Sequence, residues 1–236
     1  MPTPEANPKD KTPLWLLLLT IAIPLSTIII SLIQPWIELD QLYRDPVRAS
    51  AIMVEQGVDI NRSHLRPLVG AISNFGVIMW CAAASVSLFA ACVVDRHTQR
   101  SWFFCLLAMG FLTTLLLVDD LFQAHEAAYP VLFGLYDMRI FASYAVLLIA
   151  FVFIFRRLVM RYGLLLFLMS MFMLAAAAGF DVFFKRIDGA YDIWQAKTIQ
   201  RIGEDGLKLI GITAWLSFTL RLSWLAIREP KRSTLA

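Results

Sequence analysis

Apolar residues in this chain fall into blocks of about twenty, with the charged residues crowded between them. The stretch from Leu14 to Ile33 contains no charged side chain at all. Crossing the hydrocarbon core as a helix takes about 20 predominantly apolar residues. On that measure the pattern predicts spans near 13–35, 70–94, 101–124, 139–158, 162–184 and 205–227. Lipid leaves backbone groups no solvent partner, so segments of this length are read as helices. The expected fold is all-α, a polytopic membrane bundle of about six transmembrane helices. The first block exceeds a signal-peptide core of about 7–15 residues and ends in Gln34-Pro35-Trp36 without a small-residue cleavage site. It therefore reads as a span, bent by Pro24.

The connections set the topology. "DRHTQR" joins the second and third spans and "RRLVMR" the fourth and fifth, so both pairs are expected as antiparallel hairpins. Arg96, Arg100, Arg156, Arg157, Arg161, Arg228, Lys231 and Arg232 then share one side with Lys9 and Lys11. Basic density in short connections marks the cytoplasmic side, which places both termini there. Residues 1–12 and 228–236 are read as cytoplasmic tails. Segment 37–69 becomes an extracytoplasmic loop. Within it "RDPVRASAIMVEQG" has Asp45 as N-cap, Pro46 at the first helical position and Gly57 at the end, which predicts an interfacial helix. No repeat or low-complexity tract interrupts residues 1–236, which are read as one membrane domain.

Composition agrees: 59% of the residues are hydrophobic and 17% charged, against about 45–50% and about 25% in soluble domains. A formal net charge of +3 is too small for a nucleic-acid binder. Cys81, Cys92 and Cys105 lie in apolar stretches with no CxxC pair, which argues against a disulfide framework or a zinc–thiolate site. The expected partners are the lipid bilayer, a bacterial inner membrane, and a lipid or other membrane-soluble substrate.

Candidate chemistry concentrates at the outer ends of the third, fifth and sixth spans. "LLLVDDLFQAHE" brings Asp119, Asp120, His125 and Glu126; Asp181 and Lys185 close the fifth span; "RIGEDGLKLIG" brings Glu204, Asp205 and Lys208. At about 100° per residue Asp119, Gln123 and Glu126 share a stripe, with Asp120 beside it and His125 opposite. His125 therefore faces another span unless the helix deforms near Tyr129-Pro130. Three acids within eight residues, with no cation before Arg139, require a proton, a lysine such as Lys185 or Lys208, or a metal ion to neutralise them. Glu204 and Lys208 also stand in the favourable i,i+4 order, and Gly206 and Gly211 would admit close helix packing.

Asp119, Asp120, His125, Glu126, Glu204 and Asp205 are the candidate ligands of a divalent metal ion, and Asp119, Asp120, Glu126, Glu204 and Lys208 the candidate catalytic groups. The Glu-x-x-His pairs of di-iron bundles are absent. A proton- or ion-coupled transporter is the second class, although the acids lie at one rim and Arg221, in the inner half of the last span, is expected to snorkel towards the cytoplasmic surface. A third class is an assembly or interaction protein held together by paired charges at helix ends.

The combination of "DDLFQAHE" with a later "EDGLKLIG" resembles a pattern in uncharacterised bacterial multi-pass membrane proteins: Asp-Glu ahead of His-Glu, then a Glu-rich opening of a later span. This chain departs from it at Asp120, Asp205 and Lys208. The resemblance covers two short segments, implies that both belong to one site, and brings no activity. The residues themselves point to a metal- or carboxylate-dependent enzyme acting on a membrane-soluble substrate.

Overall fold

A computed structural model describes residues 12–43, 68–122, 124, 129, 137–187 and 194–228. Among them are seven helices and no strand: α1 (Leu14–Ile33), α2 (Leu39–Tyr43), α3 (Ala71–Val93), α4 (Arg100–Phe122), α5 (Asp137–Tyr162), α6 (Leu164–Ile187) and α7 (Trp194–Arg228). Five of the seven, α1, α3, α4, α5 and α7, are long and apolar enough to cross a membrane. The chain is thus an all-helical, multi-pass membrane protein. α6 is 24 residues long, but the apolar part that counts toward a crossing is the shorter Leu164–Phe180.

Helix boundaries follow the apolar blocks except where polar residues carry a helix past its block. α5 continues through "RRLVMR" to Tyr162, with non-helical dihedrals only at Phe155, so Gly163 alone separates α5 from α6. The Gly163 amide closes the last bond of α5, to Val159 at 3.0 Å, and its carbonyl accepts the first of α6, from Phe167 at 3.0 Å. α7 begins at Trp194, eleven residues before the predicted start of its span, and is 35 residues long. At 1.5 Å per residue that is about 52 Å, well over the roughly 30 Å of hydrocarbon. Counting about 20 residues back from Arg228 reaches Lys208. Glu204 and Asp205 therefore lie beyond that length, at the boundary opposite Arg228, where water lowers the cost of charge.

The described chain divides into two compact units, 1–17 with 80–168 and 215–236, and 18–79 with 169–214. In the first, α4 and α5 run antiparallel: the rings of Trp102 and Tyr162 lie 5.3 Å apart at one end, and Asp119 meets Tyr144 toward the other. Trp215 is fully buried on α7, with Trp80, Phe167 and Phe218 around it at 5.5–6.5 Å. Its indole N–H donates to Thr113 Oγ1 at 2.9 Å, and Thr113 in turn donates to the Met109 carbonyl at 2.7 Å. A buried polar pair made this way leaves neither group unsatisfied. A Cβ at Gly163 would meet the Phe218 ring at 2.6 Å, so glycine is what lets the α5–α6 turn lie against α7.

Arg221 corrects an expectation. It is 6% exposed, and its Nε donates to the Tyr162 carbonyl oxygen. The guanidinium does not reach for the surface; it closes the end of α5, where the last carbonyls of a helix otherwise lack partners.

In the second unit, α6 and α7 pack closely and antiparallel. Ser170 Oγ donates to the Gly211 carbonyl at 2.9 Å, and a Cβ at Gly211 would lie 3.1 Å from the Leu174 backbone nitrogen. Gly206 faces Ile28 of α1 in the same manner, so both glycines of the last span serve the approach expected of them. The start of the long connection is also built in here. Gln34 folds the chain back after α1, accepting from the amides of Trp36 and Ile37 and donating to the Ile37 carbonyl. Ile37, Leu42 and Tyr43 then pack on Val69, Ile72 and Leu209. The Gly70 amide, from a left-handed residue at φ 69°, donates to the Gln41 carbonyl at 2.9 Å. Residues 44–67, with the helix expected at 45–57, lie outside the described residues.

Candidate functional site

Asp119 and Asp120 occupy the last turn of α4, where no basic residue accompanies them. Asp119 is 6% exposed and Asp120 half-buried. Counted from Arg100, Asp119 lies about 28 Å along the helix, at the far edge of the hydrocarbon. Charge placed there is costly unless polar groups surround it. The groups supplied are phenols: Tyr144, two turns into α5, directs its hydroxyl toward the Asp119 carboxylate and the Tyr129 hydroxyl. That Tyr144 oxygen is sealed from solvent. A buried carboxylate therefore faces a buried phenol.

The sequence pattern does not single out Tyr144 or Tyr129. The signal was the hydroxyl: Tyr144 and Ser143 are the polar side chains in "FASYAVLLIA", and Ser143 spends its proton on the Ile140 carbonyl at 2.7 Å. His125 and Glu126 lie outside the described residues. Ala124 is described and sits in a wider, i→i+5 turn.

Glu204, Asp205 and Lys208 are half-buried on α7, in the second unit, whereas Asp119 and Asp120 belong to the first. The backbone of Asp181 and Lys185 is helical, but their side chains lie outside those described. Arg201 adds a residue that the sequence reading left in a loop ahead of the span. It is helical, one turn before the acids, and interacts with both Asp205 and Glu204. Asp205 also acts on Tyr43, which is 2% exposed and shares a 2.6 Å hydrogen bond with Ser31 Oγ. Burial raises the pKa of the Tyr43 phenol, and the Asp205 charge adds to that shift. Ser31 lies 2.6 Å from the Ile28 carbonyl as well and commits its single proton there, so the phenol is the donor to Ser31. Tyr43 is thereby held as a neutral phenol.

Among the described residues no group of three or more His, Cys, Asp and Glu side chains converges as a metal site would require. The described groups at Asp119 are a carboxylate pair and two phenols, a set suited to proton transfer and hydrogen bonding. A metal ion at Asp119 would draw further ligands from His125 and Glu126.

One family matches residues 14–222, nearly the whole chain, under the description "Domain of unknown function (DUF8692)". No curated protein matches the chain, and no solved structure does.

Proposed function

The chain belongs to this DUF8692 family, and we propose that it is a bacterial inner-membrane enzyme using Asp119 for carboxylate-dependent chemistry on a lipid or other membrane-soluble substrate. The carrying observation is Asp119 itself, buried in the last turn of a spanning helix and faced by the sealed Tyr144 hydroxyl. A carboxylate in this position exchanges a proton with a substrate arriving from the bilayer. Tyr144 donates to the carboxylate as its charge develops, and Asp120 and Tyr129 complete the polar surroundings. Were a divalent metal ion to take part, His125 and Glu126 would be the further ligands beside Asp119, and the ion would supply Lewis-acid chemistry.

The test compares lipid extracts by mass spectrometry from cells producing the wild type, Asp119→Asn and Tyr144→Phe. A lipid species that appears or disappears with the wild type and reverts in Asp119→Asn, at equal yield of folded protein, supports the reading. Unchanged lipids throughout, or a variant lost from the membrane, transfers Asp119 to a structural role. Metal content of the wild type beside Glu126→Gln separates the metal form from the acid–base form.

A scaffold reading has its own observation, in the second unit. Tyr43 with Ser31, and Ser170 with the Gly211 carbonyl, spend polar groups on joining elements. On that reading Glu204, Asp205 and Lys208 hold α7 in place. Glu204→Gln then lowers the unfolding midpoint and leaves the lipid profile unchanged.

A further inference from the structure

One end of the first unit carries an excess of fixed positive charge that neither the Asp119 chemistry nor the fold consumes. Arg96 and Arg100 lie at the α3–α4 connection, Arg156, Arg157 and Arg161 in the last two turns of α5, and Arg228 at the end of α7. All six are exposed. The Trp102–Tyr162 ring contact and the Arg221 bond to the Tyr162 carbonyl bring the start of α4, the end of α5 and the last turns of α7 to one level. The acid described in the α3–α4 connection, Asp95, turns inward on its own loop. It accepts from the His97 amide and the Thr98 hydroxyl, each at 2.9 Å, which holds its carboxyl below the usual range and keeps it ionised.

Four of these guanidinium groups are laid over aromatic faces. Arg100 stands 5.7 Å from the centre of Phe104, Arg156 5.4 Å from Phe153, Arg161 5.1 Å from Tyr162 and Arg228 4.4 Å from Trp224. Phe104, Phe153 and Trp224 are themselves exposed, at 45%, 70% and 57%. Each of these guanidinium carbons thus stands over an aromatic ring, and Phe104, Phe153 and Trp224 extend apolar surface beside three of them. A planar fork held this way matches a phosphate, and the ring beneath it matches the upper part of an acyl chain.

We propose that this arginine–aromatic collar binds anionic phospholipids around the helix ends, with phosphodiesters at Arg100, Arg156 and Arg161 and acyl chains against Phe104 and Phe153. A zwitterionic phospholipid brings the same phosphate and chains but also an ammonium that the collar repels. The proposed ligand is therefore a phosphatidylglycerol-type headgroup. Each basic group near a membrane surface favours anionic lipid by about fivefold. Three acting together set a preference well above tenfold, reduced by salt.

The test uses the full chain in detergent, titrated with mixed phosphatidylglycerol and phosphatidylcholine and analysed by native mass spectrometry for retained lipid. The wild type is expected to retain phosphatidylglycerol at least tenfold over phosphatidylcholine, and the Arg156→Gln/Arg161→Gln pair to lose most of that preference. Arg156→Lys/Arg161→Lys keeps the charge but not the stacked fork and should fall between them. Adding millimolar inorganic phosphate distinguishes a bare anion site, in which it displaces the lipid, from the lipid site proposed, in which it does not. If the arginine pair disturbs folding, Arg100→Gln/Arg228→Gln tests the same collar from α4 and α7. A wild type without headgroup preference, a preference indifferent to both pairs, or displacement by phosphate alone overturns the proposal.

Discussion

The Nε of Arg221 donates to the backbone carbonyl of Tyr162, 59 residues earlier in the chain. A buried charge in a membrane helix normally raises the question of transport, yet here the cation completes the end of a helix. Arg221→Gln is expected to destabilise the protein by about 1.5–3 kcal/mol, the range for a hydrogen bond to a charged group. Arg221→Lys should recover only part of that, since a single ammonium replaces a rigid fork. Thermal unfolding in detergent measures both, and a neutral Arg221→Gln would remove the capping role.

Two glycines on adjacent helices should answer oppositely to the same methyl group. A Cβ at Gly211 would lie 2.7 Å from Leu174 Cγ and 3.1 Å from its backbone nitrogen, while one at Gly179 meets nothing within 4 Å. Gly211→Ala is expected to cost about 1–3 kcal/mol through overpacking. Gly179→Ala should be neutral or stabilising by up to about 1 kcal/mol, the gain in helix propensity. Unfolding midpoints of the two variants decide it.

Asp95 gives the α3–α4 connection a pH dependence. Its folded pKa lies below the ordinary value of 3.8, because the His97 amide and the Thr98 hydroxyl bind the ionised form. The folded state therefore holds the proton less tightly than the unfolded chain. The resulting stability is fully present above the ordinary pKa and is lost as pH falls through the lower, folded value. Asp95→Ala should lower the unfolding midpoint at neutral pH, and the gap to wild type should narrow as pH falls below the ordinary value of 3.8. A gap of constant size would show that ionisation of Asp95 contributes nothing.

The number of crossings is open to a direct measurement. If α6 crosses along with the five long apolar helices, both ends of the chain emerge on the same side, and the arginine-rich end of the first unit faces the cytoplasm. Reporter fusions after residue 12 and after Arg228 should then give the same signal. A fusion placed within 188–193 should give the opposite one. Opposite signals from the two ends would confine α6 to one leaflet.

The spans were legible because lipid imposes a simple rule, and a block of twenty apolar residues obeys it whatever it packs against. α1, α3 and α4 accordingly begin and end within two residues of their apolar blocks. α5 and α7 overrun because "RRLVMR" and "AKTIQRIGED" are good helix formers that hydropathy alone assigns to loops. At the site, Asp119 was legible as a charge in an apolar run. Tyr144 was not, because its role depends on which face of α5 meets α4, and that is set by the Trp102–Tyr162 contact about 25 Å away. Arg221 was misread for a similar reason. Its partner is a backbone carbonyl, and no side-chain pattern records a backbone carbonyl.

The bond from Gly70 to Gln41 has an evolutionary consequence. It joins the residue before α3 to α2, and Tyr43 and Val69 are anchored in one apolar cluster. The segment between them leaves and returns at points that are already fixed. The loop-closure entropy of changing its length is small, about 0.6 kcal/mol for each doubling. Relatives can therefore vary its length while keeping both anchors. Within the family it is the place where diversity of sequence should accumulate first, and where a tag or a second domain can be inserted at least cost.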